Sequence, residues 1–148
     1  MPRFSRSFLF PDVNVWVALT YGGHEHHDVA RVWFDSVHTD DRVCFCRFTQ
    51  ISLLRLLTTE AVMADEVLTQ VDAWEAYEHW KLDDRVLFLE EPPNVEAAFR
   101  ALTRQPHPNA KNWADAYLAA FATVLGMKFV TFDRAFHGKV EPLLILRP

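Results

Sequence analysis

Short apolar segments that alternate with longer amphipathic segments constrain the fold of this chain more than any other feature. The apolar segments predict strands at residues 7–11, 42–48, 85–89, 128–132 and 143–146. Helical periodicity predicts helices at residues 14–21, 28–37, 49–57, 66–80, 95–102 and 112–125. Strands that alternate with helices form a mainly parallel sheet covered on both faces. We therefore expect an α/β fold, a three-layer α/β/α sandwich with a central, mainly parallel sheet.

The length and composition favour one packed domain over residues 1–148. A chain of 148 residues, half of them hydrophobic, is long enough to bury a single core. The longest apolar-rich stretch, 114–125, is interrupted by Asp115 and is too short to span a bilayer. We therefore expect a cytoplasmic protein that does not enter a membrane. Cys44 and Cys46 lack a second pair of metal ligands nearby and are predicted to be buried free thiols.

Three aspartates occupy positions at which a parallel sheet places functional groups. Asp12 follows the first predicted strand and Asp133 follows the fourth. The carboxyl ends of parallel strands meet at one edge of a sheet, where α/β proteins bind their ligands. Asp115 lies in the first turn of a helix that is apolar on nearly every side and is therefore expected to be buried. All three carboxylates are thus candidates for one site.

Carboxylates that are brought together repel one another and need a cation to stay ionised. Mg²⁺ and Mn²⁺ prefer oxygen ligands and retain water molecules, so they suit such a site. Each aspartate also has a simpler interpretation. Asp12 could cap the next helix, Asp133 could cap a turn, and Asp115 could be an acid favoured by the helix dipole behind an Asn112 N-cap.

At these residues the chain resembles the PIN-domain nucleases, and among them the VapC toxins of toxin–antitoxin pairs. The segments that carry the resemblance are 12–19 (DVNVWVAL), 48–58 (FTQISLLRLLT), 113–122 (WADAYLAAFA) and 126–136 (GMKFVTFDRAF). Their order and spacing match the family from about residue 8 to residue 136. The resemblance implies a PIN fold and the hydrolysis of RNA phosphodiesters by a water molecule that Mg²⁺ or Mn²⁺ activates.

The resemblance also assigns roles to individual residues. It implies that Asp12, Asp115 and Asp133 are the catalytic metal ligands, and that Asn14 and Thr131 orient them. It further implies an antitoxin protein that silences the enzyme, and a homodimer.

One position departs from the family pattern. Gln50 stands where PIN nucleases usually place an acid, which removes one negative charge and argues against tight binding of a second ion. Three arginines close to the predicted site in sequence are candidate RNA contacts: Arg47, Arg55 and Arg134. A group of histidines, His24, His26 and His27, could bind a metal or RNA, or could simply lie in the loop that enters a helix.

Two other functions stay open from the sequence. A metal-dependent phosphatase of small phosphoesters could use a similar α/β frame. A catalytically weakened PIN domain could only bind RNA or a protein partner, and Gln50 keeps this alternative open. The net charge of −5 argues against binding nucleic acid through bulk positive charge, although metal ions in an acidic pocket could supply the cations locally.

Overall fold

The computed structural model describes residues 6–148, and its centre is a sheet of five parallel strands. In chain order the strands are β1 (Phe8–Pro11), β2 (Arg42–Phe45), β3 (Val86–Phe88), β4 (Lys128–Thr131) and β5 (Leu143–Ile145). They lie side by side in the order β3-β2-β1-β4-β5. Every neighbouring pair is parallel, so the predicted sheet is confirmed.

Within residues 6–148, seven helices connect the strands. They are α1 (Val13–Thr20), α2 (His27–Ser36), α3 (Arg47–Leu57), α4 (Glu60–Met63), α5 (Gln70–Lys81), α6 (Val95–Ala101) and α7 (Asn112–Leu125). Short 3₁₀ turns follow α4 at Ala64–Glu66 and β4 at Arg134–Phe136. The bounds of α7 match the prediction because Gly126 adopts the left-handed conformation, with a φ of 66°, that commonly ends a helix. None of the helices in residues 6–148 is both long and apolar enough to cross a membrane.

Alternating side chains of the strands divide the core into two halves, one on each face of the sheet. On β1, Leu9 joins one apolar cluster and Phe10 joins the other, as expected for side chains that alternate across a strand. Trp16 of α1 stacks on Phe45 in the first cluster, with ring centroids 3.9 Å apart. In the second cluster Phe10 stacks on Phe121 of α7 at 5.1 Å. Helices therefore cover both faces, and the predicted three-layer sandwich is confirmed.

The predicted strand at residues 42–48 is too long at its carboxyl end. Cys46 leaves the strand, and its backbone N–H donates to Thr49 Oγ1 at 3.0 Å. This contact belongs to a capping box, which starts α3 at Arg47. The two cysteines are buried and free, as predicted.

The predicted helix at residues 66–80 begins too early. Ala64 has a φ of 51°, which interrupts the helical path after α4, and α5 starts only at Gln70. Thr69 caps α5 by accepting a hydrogen bond from the Asp72 backbone N–H at 3.1 Å. The apolar residues between the two helices are spaced as in a helix, although the chain forms no helix from residue 67 to residue 69.

The strand order creates a switch point beside β1. The chain passes from β1 to β2 on one side, and β4 returns to pair with β1 on the other side. Connections that diverge in this way leave a crevice outside the carboxyl ends of the two central strands. Asp12 and Thr131 lie at those ends.

Candidate active site at the carboxyl edge of the sheet

Asp12 lies where β1 passes into α1. Its backbone N–H donates to the Val130 carbonyl at 2.8 Å, which ties this residue to the end of β4. One carboxylate oxygen, Oδ1, accepts from the Val13 backbone N–H at 2.7 Å and caps α1. The side chain is buried, because Asp12 is only 8% exposed. The capping role considered from the sequence is real, and it leaves the second oxygen directed toward β4.

Thr131 organises the polar groups at this edge. Its hydroxyl donates to Asp12 Oδ2 at 2.9 Å and accepts from the Asp133 backbone N–H at 3.0 Å. It also accepts from Asn14 Nδ2 at 3.3 Å. A hydroxyl has one proton and two lone pairs, so these contacts use its full capacity. A buried threonine thus joins Asp12, Asn14 and the start of the Asp133 segment.

The three predicted carboxylates influence one another electrostatically. Burial raises the pKa of Asp12 to about 6, and the negative charges of Asp115 and Asp133 act in the same direction. The hydrogen bonds from Thr131 and Val13 oppose this shift. Burial also raises the pKa of Asp115, with a further contribution from Asp133. The fold therefore brings the three aspartates close enough for their negative charges to repel one another.

Two lysines that the sequence analysis missed lie near the acids. The charges of Lys139 and Lys111 lower the pKa of Asp115 and partly offset its burial. Lys139 Nζ also donates to Asn112 Oδ1 at 3.1 Å, which ties the loop after β4 to the start of α7. Asn112 does not cap α7, because the cap position is Lys111 and no side chain caps this end. Nothing in the local sequence around Lys139 indicated this contact.

The donor set at this edge fits a hard divalent cation. Asn14 Oδ1 is buried and has no hydrogen-bond partner in the described residues, so an acceptor oxygen is left available beside Asp12. Among residues 6–148, no three His, Cys, Asp or Glu side chains converge into a ready ligand cluster. Mg²⁺ commonly binds through only one or two carboxylates and keeps several water molecules. These separate oxygen donors therefore suit a hydrated ion better than a closed protein cage.

Gln50 and Arg47 form a pair of their own on α3. Arg47 Nη1 donates to Gln50 Oε1 at 2.6 Å, and the guanidinium carbon lies 4.6 Å from the centre of the Phe88 ring. Burial raises the pKa of Tyr77 of α5, and the adjacent Gln50 side chain opposes this shift. The Gln50 amide is buried although Arg47 is exposed, and it is absent from the hydrogen bonds that join Asp12 to Val13 and Thr131.

The other candidates lie around this edge or away from it. Arg134 directly follows Asp133 and is exposed, whereas exposed Arg55 lines a groove between α3 and α5. His27 contacts the Ala18 carbonyl through Nδ1 at 2.7 Å, and the His26 ring stacks on Phe132 at 4.7 Å. His26 and His27 therefore pack the start of α2 against neighbouring segments, and within the described part of the chain the three histidines form no metal cluster.

Comparison with known proteins identifies the family. The sequence model of the PIN domain family matches residues 9–140 of this chain. The chain is 42% identical over 145 residues to ribonuclease VapC41 of Mycobacterium tuberculosis, covering 94% of this chain and 99% of that protein. It is 32% identical over 139 residues to ribonuclease VapC29 of the same species, covering 90% and 93%. The chain therefore belongs to the PIN domain family, and within it to the group that includes the VapC ribonucleases.

Solved structures share the fold at lower identity. The M. tuberculosis toxin VapC20, described as cleaving the sarcin-ricin loop, superposes with a TM-score of 0.68 at 20% identity, covering 95% of this chain and 99% of that one. VapBC2 from Rickettsia felis, solved with a fragment of promoter DNA, gives a TM-score of 0.65 at 10% identity, covering 93% and 96%. These likenesses confirm the PIN-like α/β fold.

Proposed function

We propose that this protein is a metal-dependent endoribonuclease and the toxin of a toxin–antitoxin pair. One observation carries the proposal: a buried aspartate at a sheet switch point interacts with two further carboxylates. Such an arrangement is costly in a folded protein unless a cation compensates it. Family membership supports RNA as the substrate, since the curated relatives are ribonucleases by name.

Asp12, Asp115 and Asp133 would hold Mg²⁺ or Mn²⁺, with Asn14 Oδ1 as a further oxygen ligand or a partner for coordinated water. The ion would supply Lewis acidity toward the phosphate and lower the pKa of the attacking water. Water molecules would complete the coordination, because the described carboxylates do not form a closed cluster.

The chain's own residues would prepare the site for a phosphodiester. Thr131 fixes the Asp12 carboxylate, so that Oδ2 keeps one orientation. Lys139 and Lys111 place positive charge beside Asp115, where it would reduce repulsion of a phosphate. Exposed Arg134 lies directly after Asp133 and could contact a flanking phosphate. At this edge of the sheet, the aspartates would thus bind the metal, and the lysines and Arg134 would bind the substrate.

An antitoxin protein is the proposed partner. Structural relatives include VapBC-1 of nontypeable Haemophilus influenzae, 16% identical with a TM-score of 0.64, covering 93% of this chain and 96% of that one. An antitoxin arginine or lysine at the aspartates would displace substrate through a charge-assisted contact. We also propose a homodimer, and a cytoplasmic site of action where RNA and a newly made antitoxin are both present.

The proposal is tested by RNA cleavage with Asp12→Asn and Asp115→Asn. Both amides preserve shape and remove charge, so we expect cleavage in Mg²⁺ or Mn²⁺ to fall by more than about 100-fold. Loss of a group that only hydrogen-bonds to a metal ligand already lowers activity or metal affinity by about 10- to 100-fold, and loss of a ligand should cost more. Asp72→Asn, which alters an exposed residue of α5, is the matched control and should cleave like wild type.

Several results would contradict the proposal. Cleavage that persists in EDTA would exclude a metal mechanism. Turnover of a small phosphoester with intact RNA would indicate the phosphatase alternative. RNA binding without cleavage at any metal concentration would indicate a weakened PIN domain.

A further inference from the structure

A row of four aromatic rings crosses the surface beside the acidic edge. Phe48 at the start of α3 contacts Tyr117 of α7, with ring centroids 5.7 Å apart. Tyr117 meets Phe99 of α6 edge to face at 5.9 Å, and Phe99 meets Trp113 of α7 in the same way at 5.9 Å. The row joins residues from three helices, so its continuity arises only in the folded chain.

The two ends of this row are open to solvent. Trp113 is 57% exposed and Phe48 is 36% exposed, whereas the two middle rings are half-buried. Trp113 and Tyr117 are four residues apart and therefore share one face of α7. An indole left half-exposed at the end of a supported row presents a flat, immobilised apolar surface. Such a surface suits the stacking of another planar ring.

Trp113 also lines a cleft between α6 and α7 with a volume of about 490 Å³. We call this the α6–α7 cleft, and its lining residues are Glu96, Phe99, Arg100, Thr103, Arg104 and Trp113. Arg100 pairs with Glu96 at 3.1 Å, and Glu91 accepts from the Tyr117 hydroxyl at 2.6 Å. Arg104 is exposed and makes no ion pair or side-chain hydrogen bond within residues 6–148. Glu96 and Glu91 therefore already have partners, while the Arg104 guanidinium is available to bind a ligand.

The cleft lies close to the catalytic edge. Trp113 and Asp115 are two residues apart on α7, which turns about 100° per residue, so they lie on nearly opposite sides of the helix. Asp115 faces the other carboxylates, and Trp113 faces α6. A helix with its side chains is about 10–12 Å across. A strand that passes over the start of α7 could therefore reach both residues, with Lys111 on the same side as Asp115.

We propose that the α6–α7 cleft binds a nucleobase of single-stranded RNA next to the scissile phosphate, with Trp113 as the stacking platform and Arg104 as a phosphate contact. This inference rests on the proposed ribonuclease function. Base–aromatic stacking combined with cationic side chains is the usual basis of single-strand binding. The arginines of the cleft would supply positive charge beside the active site, although the net charge of the chain is −5.

A second exposed groove shows why RNA, and not protein, is the proposed occupant of the cleft. The face formed by α3 and α5 exposes Ile51, Val71 and Trp74, which are 55%, 68% and 47% exposed. On the side of α5 its lining combines Val71, Trp74 and Leu82 with the acids Glu75 and Glu78 and, within residues 6–148, contains no lysine or arginine, so it would repel a phosphate and better suits a protein helix. Arg55 lies on the side of α3. The α6–α7 cleft instead combines rings with guanidinium groups. Trp74 therefore supplies a matched tryptophan control on a surface of different chemistry.

The experiment measures RNA affinity without cleavage. A fluorescein-labelled, random-sequence single-stranded RNA of about 12 nucleotides would be titrated by anisotropy in the Asp12→Asn background with Mg²⁺. We expect Trp113→Leu to weaken binding by about 5- to 150-fold, the range expected for one stacked base. Trp113→Phe should keep most of the affinity, and Trp74→Leu should bind like the parent. Circular dichroism would verify that each variant is folded.

Salt dependence tests the arginine separately. Arg104→Ala should reduce the slope of log Kd against log salt by about 0.7, the value for one phosphate contact on a single strand. Unchanged RNA affinity in Trp113→Leu would overturn the inference while leaving the ribonuclease proposal intact. Weaker antitoxin binding with unchanged RNA affinity would assign the cleft to a protein partner. If the parent binds no RNA and wild type cleaves none, both proposals fail together.

Discussion

Removing the charge of Asp12 should stabilise the metal-free protein at neutral pH. Burial raises the pKa of this carboxyl from 3.8 to about 6, so the folded state holds its proton more tightly than the unfolded chain does. Folding stability is then fully present below the unfolded pKa and falls as the pH rises through about 6. A pKa that rises from 3.8 to about 6 on folding lowers the stability of the folded protein by about 3 kcal/mol at about pH 8.

The substitution Asp12→Asn removes this penalty but disturbs one hydrogen bond. An amide cannot accept from both Thr131 and the Val13 N–H, and the lost contact costs about 1 kcal/mol. At about pH 8 the variant should therefore be more stable than wild type by about 2 kcal/mol. Near pH 4, where the carboxyl is largely protonated in the folded state, the two proteins should be about equally stable.

Urea unfolding in EDTA, followed by circular dichroism at about pH 4 and about pH 8, measures this difference. The control Asp72→Asn changes an exposed residue and should alter the free energy of unfolding by well under about 1 kcal/mol at both pH values. Mn²⁺ or Mg²⁺ at about 100 times its Kd should stabilise wild type by about 2.7 kcal/mol and the Asp12→Asn variant far less. If the difference between variant and wild type does not change with pH, the carboxylate is not desolvated and the metal argument loses its basis.

Two further substitutions test the supporting residues. Thr131→Val removes the hydroxyl that holds Asp12, so we expect kcat/KM to fall by about 10- to 100-fold and the metal concentration for half-maximal cleavage to rise. Thr131→Ser should restore most of the activity, whereas equal losses in both variants would point to packing. Gln50→Glu should form an ion pair with Arg47, which contacts Gln50 at 2.6 Å, and leave metal affinity nearly unchanged by calorimetry. A clear tightening would instead place residue 50 among the metal ligands.

Local patterns predicted the sheet and the positions of Asp12 and Asp133. Asp12 directly follows β1 and Asp133 lies two residues after the end of β4, and parallel strands place such residues at one edge whatever the rest of the chain does. The helix that carries Asp115 was predicted with correct bounds because its apolar content and Gly126 are local signals. These inferences needed no knowledge of distant contacts.

The contacts that organise the edge could not be read locally. Thr131 bonds to Asn14 across 117 positions and to Asp12 across 119, and only the sheet order brings them together. Lys139 reaches Asn112 from a loop without periodicity. The break after α4 depends on an alanine with a positive φ, a conformation that alanine's identity does not suggest. The resemblance to the PIN family indicated Thr131, but not the three bonds through which it acts.

The net charge of −5 is a weak objection to an RNA substrate once the positions of the charges are known. Exposed charges farther apart than about 8–10 Å are largely screened at physiological salt, so a phosphate responds mainly to its immediate surroundings. At the start of α7 those surroundings include Lys111 and Lys139 beside Asp115, with Arg104 in the adjacent cleft. A divalent cation bound by the three aspartates would offset most of their negative charge. The local charge that an RNA strand meets would then be positive, although the chain as a whole is acidic.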